Sequence, residues 1–192
     1  MGEPMLEIFK NTGAISKGHF LLSSGKHSEY YIQCAQVLQY PAYTEQLVRN
    51  LAEKLNTSYD LVVGPAMGGI ILAYEMARYF NIRAIFTERE QDNMKLRRDF
   101  SIKQGEEVLV VEDVITTGGS VMEVIELIRS HGGRIKDVAA LINRSGDEID
   151  FNPYGLTLTS LINFEIVSYN KDECPLCKKG IQLTKPGSKK FL

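Results

Sequence analysis

Apolar positions along the chain follow two rhythms. Residues 60–64 (DLVVG), 83–87 (RAIFT), 108–112 (VLVVE) and 137–142 (DVAALI) are short, nearly continuous apolar runs rich in β-branched side chains. Such runs predict strands buried on both faces. Between them apolar residues recur at helical spacing. Leu47, Val48, Leu51 and Leu55 line one face of residues 43–55, which Pro41 introduces. A further helix is expected over residues 70–80. Val121, Val124, Ile125 and Ile128 mark another, ended by Gly132 and Gly133. Strands alternating with helices predict parallel βαβ units with right-handed crossovers.

The flanks read differently. Residues 5–11 suit a short helix closed near Gly13, and residues 18–31 a β-hairpin around a Ser-Ser-Gly-Lys turn. Residues 156–167 fit one strand or two. Between Thr87 and Gly105 the rhythm breaks: TEREQDNMKLRRDFSIKQG is densely charged with few apolar anchors. A structureless insertion of that length in a compact domain points to a functional lid over a solvated charged hairpin, given its place between two strands.

Composition narrows the class. The 192 residues are 44% hydrophobic and 24% charged, as in an ordinary soluble globular protein, and one domain is expected over residues 1–192. A net charge of −2 offers no basic field for nucleic acid. No apolar run reaches the length of a membrane span, and the first residues lack a signal-peptide pattern, so a cytoplasmic location is expected. Three cysteines argue against a disulfide-built scaffold.

The chemistry concentrates in VLVVEDVITTGGS, residues 108–120. A strand delivers Glu112 and Asp113 to its end, and Thr116, Thr117, Gly118, Gly119 and Ser120 then lead into a helix. Orphan N–H groups and the dipole at a helix N-terminus favour a phosphate, while the neighbouring carboxylates suit hydroxyls or a hydrated cation. A phosphorylated sugar meets both demands. Neither GxxxxGK[ST] nor GxGxxG occurs, which removes the main support for a nucleoside triphosphatase or a dinucleotide enzyme. In a parallel sheet, residues 64–69 and the pair Asn143-Arg144 arrive at the same edge, where open α/β sheets bind ligands. Gly68 and Gly69 would let the backbone wrap a second anion.

The run VVEDVITTGGS closely resembles the phosphoribosyl pyrophosphate motif of type I phosphoribosyltransferases. FLLSSGKHSEYYIQCA, GPAMGG, MKLRRDF and LINRSG extend the likeness, over nearly the whole chain, to orotate phosphoribosyltransferases. The resemblance implies that family's α/β fold: a central parallel sheet flanked by helices, a small hood mainly from residues 1–40, a core over about 41–146, a mobile lid, and an extension over about 168–192. It implies transfer of a phosphoribosyl group to orotate in pyrimidine biosynthesis, with Mg²⁺ entering mainly through the pyrophosphate substrate. Glu112 and Asp113 would hold the ribose hydroxyls. Thr116 to Ser120 would cradle the 5′-phosphate, Val114 and Ile115 would also bind phosphoribosyl pyrophosphate, and Met67 and Gly68 would lie in the pyrophosphate loop. Thr116, Arg144, Tyr31 and Ile32 would meet orotate; the planar guanidinium fork of Arg144 suits its carboxylate. Residues 88–98 correspond to a loop that reaches into the neighbouring site of a homodimer, which makes Arg89, Lys95 and Arg97 catalytic candidates beside Asp113. The chain departs from some relatives in carrying Ser23 and Gly68 where they have lysine, and Glu88 where they have arginine. A purine phosphoribosyltransferase, or a non-catalytic sensor of the same sugar phosphate, are the alternatives.

Weaker signals remain. Cys174-Pro-Leu-Cys177 has the spacing of half a zinc site, but Cys34 is the only other cysteine, so a surface pair without metal is expected. His131, in the last turn of a helix, reads as structural, and His27 as exposed in the hood turn. The lysine-rich tail over residues 178–190 reads as a solvated extension.

Overall fold

Residues 2–22, 24–55, 58–146, 149 and 151–186 are described in a computed structural model of the chain. Helix α1 (Gly2–Asn11) leads into a hairpin of β1 (Ile15–Leu21) and β2 (His27–Ile32), and then into α2 (Ala35–Leu38) and α3 (Pro41–Ala52). There follow β3 (Leu61–Pro65), α4 (Gly68–Phe80), β4 (Arg83–Glu90), β5 (Asn93–Leu96), β6 (Glu107–Ile115), α5 (Gly119–Ser130) and β7 (Arg134–Asn143). The chain continues through β8 (Leu158–Asn163), β9 (Ser168–Tyr169) and α6 (Pro175–Lys178).

Six strands form the main sheet in the order β5-β4-β3-β6-β7-β8, all neighbours parallel except the β4–β5 pair. Its central strands are apolar on both faces because both are covered. On β6, Leu109 and Val111 join the core beneath α3 and α4, where Leu47, Leu51, Leu72 and Met76 are fully buried. Val108 and Val110 point the other way, against Val121, Val124, Ile125 and Ile128 of α5. The period of two along a strand thus sorts one continuous apolar run into two cores. A separate sheet, β1-β2-β9, makes the hood, and residues 158–169 supply one strand to each sheet. Leu55 lies one turn beyond the end of α3 yet still packs against the core.

One expectation fails in part. Residues 87–96 are not structureless, whereas 97–105 hold no helix or strand: β4 runs on to Glu90, and β5 returns antiparallel with Glu88 opposite Lys95 and Glu90 opposite Asn93. Gln91 and Asp92 turn the corner with φ of 49° and 63°, the left-handed pair that a two-residue hairpin needs. Met94, Leu96 and Phe100 are few, but all three pack onto the core beneath α5. Ion pairs Glu88–Arg98 and Glu90–Lys95 tie the charges together in the same stretch.

Candidate active site

Strand β6 runs on to the buried Ile115, with Glu112 half-buried near its end. The Glu112 carboxylate accepts the backbone N–H of Asp113 at 3.1 Å, and Asp113 accepts that of Val114 at 3.0 Å. Burial raises both carboxyls above the ordinary range, and with Asp113 beside it Glu112 is pushed up to about 9. The free pair therefore does not carry two full charges near neutrality. Sugar hydroxyls or a cation would offset the desolvation that raises them. Cys34 lies behind the pair, fully buried, its thiol 3.8 Å from the Asp113 carbonyl. Burial and the two carboxylates push that thiol well up.

The chain next turns at Gly118, which has φ +71° and where a Cβ would crowd Ile149 at 3.1 Å. Only glycine takes this position without strain. Helix α5 begins there with no side-chain cap, so its first N–H groups are left for a ligand. A concave pocket lined by Glu112 and residues 114–121 surrounds them, with Thr116 and Thr117 exposed at its rim. These are the means to hold a phosphate.

A second uncapped helix start faces the carboxylates from the other side. After β3 the Ala66–Met67 peptide is cis, Met67 stands 81% exposed, and α4 opens at Gly68 with no side-chain cap. A Cβ on Gly68 would collide with the Asp113 carboxylate, and one on Gly64 with the Gly69 carbonyl. These contacts explain why a side chain, lysine included, has no room at Gly68 in this arrangement. Ser23, the other departure, lies outside the described residues.

Arg144 completes the edge. Its backbone N–H donates to the Ile115 carbonyl at 3.0 Å, which sets it alongside Thr116. Asn143 pins the turn by accepting from the Ser145 backbone N–H at 3.0 Å and hydroxyl at 2.6 Å. Burial lowers the Arg144 pKa, and among the described residues no hydrogen bond or ion pair engages its guanidinium. A half-buried cation without a partner is suited to an incoming carboxylate.

The structure thus gathers Gly68, Glu112, Asp113, residues 114–120 and Arg144 at one sheet edge. Tyr31 and Ile32 end β2 in the hood. The Tyr31 ring lies 5.7 Å from that of Phe20, and its hydroxyl donates to Gln33 at 3.0 Å. Ile32 is buried in the core and pairs with Ile15 of β1. Cys34, two residues on, carries this end of the hood to Asp113. No motif singled out that thiol, and only tertiary contact shows it.

Arg89, Lys95 and Arg97 are not part of this cluster. They stand on or just after the β4–β5 hairpin, with β4 and β3 separating β5 from β6 in the sheet. Arg89 pairs with Glu123 of α5 at 2.7 Å, while Lys95 and Arg97 reach Glu90 at 2.7 and 3.7 Å. All these side chains are well exposed, and ion pairs of that kind are cheap to break.

Residues 35–173 match the phosphoribosyl transferase domain. The orotate phosphoribosyltransferase of Caldanaerobacter subterraneus subsp. tengcongensis is 58% identical over 190 residues, covering 98% of both chains. That of Thermoanaerobacter sp. is 53% identical, again over 98% of each. The crystal structure of orotate phosphoribosyltransferase from Aeropyrum pernix superposes with a TM-score of 0.73 at 26% identity, covering 83% of this chain and 93% of that one. The parallel sheet, the uncapped glycine turn beyond its acidic strand end and this similarity over almost the full length place the chain in the orotate phosphoribosyltransferase family.

Proposed function

We propose that the chain transfers the 5-phosphoribosyl group of phosphoribosyl pyrophosphate to orotate, giving orotidine 5′-monophosphate and pyrophosphate in pyrimidine biosynthesis. The observation that carries this reading is the Arg144 guanidinium, unpartnered among the described residues, beside a phosphate-ready helix start and a carboxylate pair. In this reading the 5′-phosphate sits on residues 116–120, the ribose hydroxyls donate to Glu112 and Asp113, and the orotate carboxylate meets Arg144. Tyr31 and Ile32 close over the base. A purine has no carboxylate for that guanidinium, which disfavours a purine substrate.

The reaction breaks the bond between ribose C1 and a pyrophosphate oxygen and forms one from the orotate ring nitrogen to C1, while that nitrogen's proton is released with the pyrophosphate. Positive charge grows on the ribose ring, and ionised Glu112 and Asp113 below it would favour that charge. The start of α4, with Met67 and Gly68, would receive the departing pyrophosphate. The clustered oxygen donors of Glu112 and Asp113 fit Mg²⁺, a hard cation that is held by one or two carboxylates together with substrate phosphates. Bound there or through the pyrophosphate, it would neutralise charge on the leaving group.

Because the hairpin stands away from Asp113 in its own chain, Arg89, Lys95 and Arg97 are assigned to the site of a second subunit. A homodimer is the expected active form. Among the described residues no helix is long and apolar enough to cross a membrane. An absorbance assay of orotate consumption, run beside adenine, guanine and uracil, tests the reading. Turnover restricted to orotate is the expected result, and turnover of a purine but not orotate overturns it.

A further inference from the structure

The cysteine pair that looked like half a site has found its other half. Cys174 is not on the surface but fully buried, and His27 is not exposed in a turn but 3% accessible on β2. With them are His19, equally buried on β1, and the half-buried Cys177. One ligand atom from each of these four side chains lies within 4.8 Å of all the others. His19 Nε2 is 2.9 Å from His27 Nδ1 and 3.5 Å from Cys174 Sγ, and Cys177 Sγ is 3.2 Å from His27 Nδ1 and 3.7 Å from His19 Nε2. Tetrahedral zinc, with bonds of about 2.3 Å to sulfur and 2.0–2.1 Å to nitrogen, sets neighbouring donor atoms roughly 3.3–3.8 Å apart.

Local structure aims each group inward. Across the hairpin Lys17 pairs with Tyr30 but Phe20 with Ser28, so β1 carries one extra residue. That bulge, at Gly18-His19, re-aims the His19 ring until it meets His27 edge-on. Cys174 precedes a single turn, α6, and Cys177 lies within it; the start of the turn is fixed by the Lys178 N–H donating to the Cys174 carbonyl. His19 Nδ1 lies 2.7 Å from the Ile181 carbonyl. A carbonyl only accepts, so Nδ1 bears the proton and Nε2 turns its lone pair on the cluster. This is the outer hydrogen bond that metal-bound histidines ordinarily make.

We propose that His19, His27, Cys174 and Cys177 bind one structural Zn²⁺ that clamps the C-terminal segment to the hood. Two thiolates and two neutral imidazoles balance the ion's charge, so the buried cluster is left neutral. Four protein ligands leave no open position, which makes the site structural rather than catalytic. Backbone pairing follows the same seam: Thr184 N–H donates to the His19 carbonyl at 2.8 Å, and β9 pairs with His27 and Ser28. All four ligands lie outside residues 35–173, the part matching the shared transferase domain.

The full chain, expressed with zinc and purified without chelator, is assayed by elemental mass spectrometry. About one zinc per chain is expected, and below roughly a tenth in Cys174→Ser/Cys177→Ser, with His131→Ala retaining it. Chelation should lower the melting temperature of the wild type by roughly 10 °C, and zinc should restore it. Should the double variant fail to fold, chelated wild type is titrated with Co²⁺. Intense visible bands with thiolate-to-cobalt charge transfer in the near ultraviolet then report the tetrahedral sulfur–nitrogen site. Wild type that carries under a tenth of an equivalent and gives no such spectrum overturns the proposal.

Discussion

Replacing Glu112 with Gln separates the stability of the free protein from its chemistry. The carboxyl is pushed to about 9 in the fold and returns to 4.5 when the chain unfolds. A raised carboxyl contributes stability that is fully present below the unfolded value and is lost as pH rises towards the folded one. Between pH 4.5 and 7 the folded group keeps its proton while the unfolded one releases it. Each pH unit in that window costs about 1.4 kcal/mol, so the loss by pH 7 is about 3.5 kcal/mol at most. Water reaching the site and the shared charge with Asp113 reduce this, and about 1–2 kcal/mol is expected. Glutamine keeps the shape without the charge. Melting temperatures of wild type and Glu112→Gln, measured from pH 4 to 8.5, should coincide near pH 4 and diverge upward, with the variant higher by a few degrees. The difference cancels other titrations. A gap that does not change with pH, or a variant less stable at pH 8, refutes the burial argument. Transfer by the same variant should fall.

Asp113→Asn should lower transfer at least about 100-fold with little change in melting temperature, because the residue stands at a strand end and its charge acts on the transition state; near-normal turnover would remove it from the mechanism. Arg144→Ala should weaken orotate about 10- to 100-fold while phosphoribosyl pyrophosphate, followed by calorimetry, is nearly unaffected; equal losses would make Arg144 a structural residue. Asp113→Asn and Lys95→Ala/Arg97→Ala, each inactive alone, should regain part of the wild-type activity after subunit exchange. Verified mixed dimers that stay inactive would return the hairpin to its own chain's site.

Much of the fold was legible because β3, β6 and β7 are buried on both faces, and continuous apolar runs such as Leu109 to Val111 admit little else. The turn after β6 was legible because its physics is local: a strand, a glycine with positive φ and a helix start follow one another. The β4–β5 hairpin was not. Its corner is Gln91-Asp92 rather than Asn-Gly, and three spaced side chains anchor it. The His–Cys cluster was hidden for another reason, since His19 and Cys174 are 155 positions apart. Their meeting depends on how the tail returns to the hood, which no local pattern records. Cys34 against Asp113 belongs to the same class.

The site assignment is tested most directly by a crystal structure of the chain with orotidine 5′-monophosphate. The 5′-phosphate should lie on the backbone N–H groups of residues 116–120, the ribose hydroxyls within hydrogen-bond reach of Glu112 and Asp113, and the base carboxylate against the Arg144 guanidinium. A phosphate bound away from the start of α5, or a base carboxylate that leaves Arg144 unengaged, would contradict it.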